Sequence, residues 1–192
     1  MKGKTMSSTN IAVIVGSLRK ESLNLKMAKA LIAIAPETLS FKILEIDGLQ
    51  MYNQDLDETP PAAWTNFRNQ LKDFDGILFV TPEYNRSVPA VLKNAIDVGS
   101  RPYGKSSWNG KPAAIVSVSP GHIGGFGANH HLRQSLVFLN VPVMAQPEAY
   151  IGNAEELFDD HGNLINEKTI EFSRKFMMAF SEWVTRITAP KI

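Results

Sequence analysis

A doubly wound α/β fold is what this sequence predicts: a five-stranded parallel sheet in the order 2-1-3-4-5 with helices on both faces. Three observations lead there. Short, continuous apolar runs alternate with segments of helical period, turn residues separate the two kinds, and no linker divides the chain. At 192 residues and 44% hydrophobic content, a single domain of this size buries roughly 70% of its extended-chain surface and needs no disulfide to stand. We expect a short flexible leader over residues 1–9 and one domain over 10–192.

Ile11-Ala12-Val13-Ile14-Val15 is apolar at every position, the mark of a central strand covered on both faces. Leu23, Met27, Ala30 with Leu31, and Ile34 follow at helical spacing and are closed by Pro36. Leu39, Phe41 and Ile43 alternate with polar residues, so the second strand is half exposed at a sheet edge. Trp64, Phe67, Leu71 and Phe74 make a helical stripe after Pro60-Pro61, and Gly76 to Val80 forms a third strand, again apolar throughout. Pro89 stands where proline is favoured, in a first helical turn, with Val91, Leu92, Ala95 and Ile96 behind it. Ala113 to Val118 is the fourth strand, Ala128 to Leu139 a helix, and Val141 to Met144 a short fifth strand. Ile170, Met177, Phe180, Val184 and Ile187 line a long final helix. Five strands and five helices in this order fit the flavodoxin-like arrangement.

Composition removes several function classes. With 20 Lys+Arg against 19 Asp+Glu the net charge is +1, which leaves no global field to hold nucleic acid or an anionic membrane. Absence of cysteine removes thiolate metal sites, thiol nucleophiles and dithiol redox chemistry. Any redox role must therefore come from a bound cofactor. Met1 to Asn10 carries two lysines but no apolar core of a signal peptide, so we expect a cytoplasmic protein. The uncharged stretch from Pro112 to Leu132 holds too many Gly, His and Asn residues to span a membrane.

In a sheet of this order, ligands sit beyond the carboxyl ends of the strands where the strand order reverses. Three loops are thereby singled out. After strand one, Gly16-Ser17-Leu18-Arg19-Lys20-Glu21-Ser22-Leu23-Asn24 offers hydroxyls, an amide, a guanidinium and the free N–H groups of a helix start, a set that suits a phosphate dianion. Ser22 also reads simply as a helix cap and Arg19 as a solvated charge. After strand three, Thr81-Pro82-Glu83-Tyr84-Asn85-Arg86-Ser87-Val88-Pro89 is a rigid loop able to frame a planar ring, or a structural turn. After strand four, Ser119-Pro120-Gly121-His122-Ile123-Gly124-Gly125-Phe126-Gly127 has four glycines that let backbone approach a ligand.

Other motifs fail on spacing or context. The first loop has one glycine, so the GxGxxG dinucleotide fingerprint is absent. Gly99 to Ser106 spells GxxxxGKS but follows a helix and leads into a strand, the reverse of a phosphate loop. His122, His130, His131 and His161 show no HExxH spacing, which argues against a metal site; His130 and His131 read as surface or interface residues of a helix. Asp159 to Asn163 reads as a turn without calcium-loop spacing. No serine stands in GxSxG, and the acidic residues of a receiver domain are replaced by Gly16-Ser17 and Thr81-Pro82.

Gly16-Ser17-Leu18-Arg19 with Ser22 and Asn24, Thr81-Pro82-Glu83-Tyr84-Asn85 with Val88-Pro89 and Leu92-Lys93-Asn94-Ala95-Ile96-Asp97, and Gly124-Gly125 with His131-Leu132-Arg133-Gln134 together resemble the NADPH-dependent FMN reductase family. Within it the chain is most similar to bacterial chromate and quinone reductases. The resemblance covers nearly the whole chain from Asn10. It implies tightly held FMN, reduced by NADH or NADPH and reoxidised by quinones, azo compounds, chromate or free flavin. It assigns the phosphate to Ser17, Arg19, Ser22 and Asn24, with Leu23 in the same helix start. It assigns the ring to Pro82, Glu83, Tyr84 and Asn85, and its pyrimidine side to Ser119 and Gly121. No residue is expected to act as catalytic acid, base or nucleophile, since hydride chemistry belongs to the cofactor. Phe126 to His130 departs from the family pattern, which bears on assembly and acceptor preference.

The fold also serves one-electron carriers and flavin-dependent sensors. A carrier generally presents a strongly acidic face, against which the balance of +1 argues; a sensor stays open on sequence. Assembly as a homodimer or homotetramer is expected from the helix after Ala128, where Leu132, Leu136 and Leu139 make the stripe that covers the sheet while Val137 and Phe138 fall outside it.

Overall fold

The computed structural model describes residues 9–190. The leader expected over residues 1–9 lies outside the described residues apart from Thr9, which already belongs to a strand. The elements run β1 (Thr9–Val15), α1 (Leu23–Ile34), β2 (Leu39–Leu44), α2 (Ala62–Lys72), β3 (Gly76–Thr81), α3 (Ala90–Gly99), β4 (Ala113–Val118), α4 (Phe126–Phe138), β5 (Ala149–Ile151) and α5 (Glu167–Thr188). All ladders are parallel and the sheet order is β2-β1-β3-β4-β5.

The unbroken apolar strands feed two cores at once, because successive side chains point to opposite faces. Ile11, Val13 and Val15 pack with Leu78, Val80, Val116 and Val118 against Met27 and Leu31 of α1 and Phe176, Phe180 and Val184 of α5. Ala12 and Ile14 pack with Ile77, Phe79 and Ile115 against Trp64 and Phe67 of α2, Leu92 and Ile96 of α3, and Leu132 and Leu136 of α4. Only the first and last residues of β2 are buried, as its alternating sequence and edge position require. No described helix is long and apolar enough to cross a membrane.

The fifth strand and the start of α4 differ from expectation. The fifth strand is Ala149–Ile151 rather than Val141 to Met144. Pro142 has no N–H to give a ladder, so the earlier apolar run makes only an isolated parallel bridge, Val143 to Ala113. The chain then loops out and returns to pair with Val116–Val118. Helix α4 starts at Phe126, not Ala128, since Gly125 adopts the left-handed conformation (φ 74°) that turns the chain into it. The segment from Asp159 to Asn163 is the expected turn: the Asp159 carboxylate accepts from the Asn163 side-chain amide and from the Asn163 and His161 N–H groups, and these bonds, the Asn163 amide first, hold its pKa below the usual carboxylate range.

The GxxxxGKS string has a packing role. Its first glycine, Gly99, closes α3 against the face of Trp108, whose Nε1 donates to the Ile96 carbonyl at 2.9 Å. A Cβ on Gly99 would lie 2.5 Å from that nitrogen. Gly99→Ala should therefore destabilise the protein by about 1–3 kcal/mol through overpacking, more than the roughly 0.5–1 kcal/mol that alanine gains in a helix. Urea unfolding of wild type and variant checks the sign.

Candidate functional site

Strand order reverses between β1 and β3, so the loops after β1, β3 and β4 open side by side at the carboxyl end of the sheet. The first leaves β1 at Gly16, whose N–H donates to the Val80 carbonyl at 2.9 Å. It enters α1 through Ser22, buried to 2% exposure, whose Oγ accepts from Leu25 N at 3.1 Å. The capping role is therefore real, and the Ser22 hydroxyl keeps its own hydrogen to donate. The first intrahelical bond runs from Lys26 N to Ser22 O, so the N–H groups of Leu23 and Asn24 stand ahead of it as the orphan donors of a helix start. No acidic side chain occupies this first turn. The positive end of the helix dipole is left open to an anion, with Ser17 half-buried and Arg19 exposed beside it.

Asn24 behaves differently from its neighbours. Its amide turns inward and Nδ2 donates to the Val118 carbonyl at 3.4 Å, tying the start of α1 to the end of β4, while Oδ1 is buried without a hydrogen-bond partner. What Asn24 offers an anion is its main-chain N–H.

The second loop is a two-residue turn. Tyr84 N donates to Ser87 O at 3.0 Å and Ser87 N to Tyr84 O at 2.9 Å, with Asn85 (φ 51°) and Arg86 (φ 63°) both in the left-handed region, the geometry of a type I′ turn. Pro82 and Glu83 are half-buried, while Tyr84 and Asn85 are exposed. In the third loop the Ser119 Oγ accepts from Gly121 N at 3.0 Å. Ser119 N is held by the Ile151 carbonyl at 2.9 Å, which anchors this loop to β5. The predicted residues are thus brought to one end of one sheet, in three loops.

Sequence reasoning missed the contacts that join these loops. The Glu83 carboxylate reaches across to α4 and accepts from Ala128 N at 3.0 Å, and His131 Nδ1 meets Ser87 Oγ at 3.0 Å. It also missed the cluster of exposed Phe126 with half-buried His130 and Tyr150, where His130 Nε2 bonds the Tyr150 hydroxyl at 2.9 Å and the Phe126 ring lies 4.2 Å from the imidazole. Burial first, and then the Glu148 carboxylate, push the Tyr150 phenol up to about 12, so at neutral pH it is an uncharged hydrogen-bonding group. No local sequence signal encodes a partner tens of residues away.

The donor set fits a phosphorylated planar cofactor: orphan N–H groups and hydroxyls at α1, and two short rigid turns facing the sheet's switch point. The family model of the NADPH-dependent FMN reductases matches residues 9–156. The chain belongs to that family. Among its relatives, a quinone reductase of Pseudomonas putida is 61% identical over 176 residues, covering 91% of this chain and 94% of the relative. A 2-hydroxy-1,4-benzoquinone reductase of a Burkholderia species is 47% identical over 174 residues, covering 91% and 95%. Among solved structures, FerB of Paracoccus denitrificans, a flavoenzyme NAD(P)H:(acceptor) oxidoreductase, superposes with a TM-score of 0.87 at 42% identity, covering 93% of this chain and 98% of that one. This FMN reductase family member is accordingly an NAD(P)H-dependent oxidoreductase with FMN as cofactor and the flavodoxin-like fold.

Proposed function

We propose that the protein reduces quinones with electrons from NADH or NADPH, with azo compounds, chromate and free flavin as further acceptors. The observation that carries the reading is the open start of α1, whose first turn holds no acid, set at the switch point beside two rigid turns. FMN, when bound, supplies the hydride chemistry. The N–H groups of Leu23 and Asn24 and the side chains of Ser17, Arg19 and Ser22 would hold its phosphate. Pro82, Glu83, Tyr84 and Asn85 would frame its ring from one side, and Ser119 and Gly121 would offer main-chain groups to its pyrimidine edge. Leu18, Tyr84, Ile123 and Phe126, each about half exposed or more, give the same end of the sheet an apolar rim, which favours a planar apolar acceptor over an oxyanion such as chromate. We place the reaction in the cytoplasm, where its nicotinamide reductant is made.

A single ring-binding site, with no separate nicotinamide fingerprint, has donor and acceptor occupy the same place in turn. Double-reciprocal plots at several quinone concentrations should be parallel; intersecting lines would mean that both bind together. The phosphate assignment is tested at residues that cap nothing. Ser17→Ala with Arg19→Ala should weaken FMN binding by a few kcal/mol, at about 1.5–3 kcal/mol per charge-assisted hydrogen bond, as read by quenching of flavin fluorescence. Unchanged affinity would remove the assignment.

We further propose a homodimer, alone or paired into a homotetramer. Leu132 and Leu136 of α4 are buried, whereas Val137 is 74% and Phe138 80% exposed, and Phe138 shares a surface hollow with Arg101 and Tyr103. A two-fold axis across α4 would set this end of one copy beside the start of α4, and hence the site, of the other. Phe138→Asp should shift sedimentation toward monomer and lower kcat/KM for bulky quinones while FMN stays bound. A fully active wild-type monomer at micromolar concentration would exclude the dimer.

A further inference from the structure

The Glu83 side chain is only 10% exposed, and both of its oxygens are engaged within the protein. Oε2 accepts from Ala128 N at 3.0 Å and Oε1 from Arg86 Nη1 at 3.0 Å. Helix α4 has no cap of its own: the residue in the capping position is Gly125, which carries no side chain to serve. The cap is instead delivered from the loop after β3 by a carboxylate, and a charge-assisted bond of this kind is roughly twice as strong as a neutral one. The joint is closely packed. A Cβ on Gly127 would sit 2.7 Å from the Arg86 carbonyl oxygen and 2.9 Å from Glu83 Oε2. One helical turn further on, His131 holds Ser87, so the turn after β3 is tied to α4 at both of its ends.

We propose that Glu83 is a positioning residue whose carboxylate clamps the turn after β3 to the start of α4, fixing the separation of the two loops between which the flavin ring sits. This rests on the assignment of those loops to FMN given above. The clamp also neutralises the positive end of α4, while that of α1 has no acid in its first turn. Of the starts of α1 and α4, that of α1 is then the one left open to a phosphate. The family resemblance makes Glu83 a ring contact; in the structure its side chain works on the protein, and what it leaves for the ring is main chain.

The test uses Glu83→Ala, Glu83→Gln and Gly127→Ala in the full chain. Two quantities are read: the rate of FMN release from holoprotein, from the rise of free-flavin fluorescence on dilution, and hydrogen exchange over residues 126–130 in protein stripped of FMN. Glu83→Ala should release FMN about tenfold faster and lose protection at Ala128, because an orphaned buried donor is costly. Glu83→Gln, whose amide oxygen still accepts from Ala128, should stay within about threefold of wild type on the same grounds. Gly127→Ala, which wedges the joint from the helix side, should follow Glu83→Ala and decides the matter if that variant does not fold. Wild-type release by Glu83→Ala overturns the clamp, as does a Glu83→Gln variant no better than Glu83→Ala. Faster release with unchanged exchange also overturns it and makes the carboxylate a ligand of the cofactor. A wild type that binds no FMN would sink the flavin assignment, and the exchange comparison would still judge the clamp.

Discussion

Everything at the carboxyl end of the sheet depends on the pairing of β1 with β3. These strands are in register from Ile11 opposite Gly76 to Val15 opposite Val80, and almost every residue in them is fully buried. Two helical layers press on them from opposite sides, so neither strand can slip by one residue without exchanging one core for the other. The rigidity of that pair is inherited by the loops that leave it. Gly16 is bonded to Val80 across the ladder at the point where the first loop begins, so the start of α1 and the turn after β3 diverge from a common fixed edge.

The site is built mainly from main-chain groups. Net charge is close to zero, and what α1 would offer a phosphate is a helix start with no acid in its first turn rather than a basic patch. A flavin phosphate is held well by such a device, because oriented N–H groups need little reorganisation when charge arrives. The cost is visible nearby. Asn24 leaves a buried carbonyl oxygen without a partner, and Arg86 holds a left-handed φ of 63° that a residue with a side chain adopts only under constraint.

Distribution of apolar surface separates the two ends of α4. At its start, the Phe126 ring packs at a tilt on His130, which stacks on Tyr150, next to the candidate site loops. At its end, Val137 and Phe138 stand exposed on a helix whose Leu132 and Leu136 complete the core. One helix thus serves the sheet, the site and a free apolar surface, which is why its exposed residues carry more functional meaning than scattered apolar side chains elsewhere.

The sequence by itself determined the elements whose signal is local and repetitive. Continuous apolar runs placed β1, β3 and β4, alternation placed β2 at an edge, and helical stripes placed all five helices, because burial on one or two faces imposes a period of its own. The loops of the candidate site were legible for the same reason, as the interruptions after those strands. The short fifth strand was not: Pro142 sits in the apolar run that looked like a strand, and the three residues that pair with β4 have too little length to show a period. Only the tertiary structure decided what each loop residue does with its polar atoms. Ser22 caps its own helix and Asn24 braces β4. Glu83 caps a helix 45 residues away, because a hydrogen-bond partner is chosen by proximity in space, on which sequence spacing is silent.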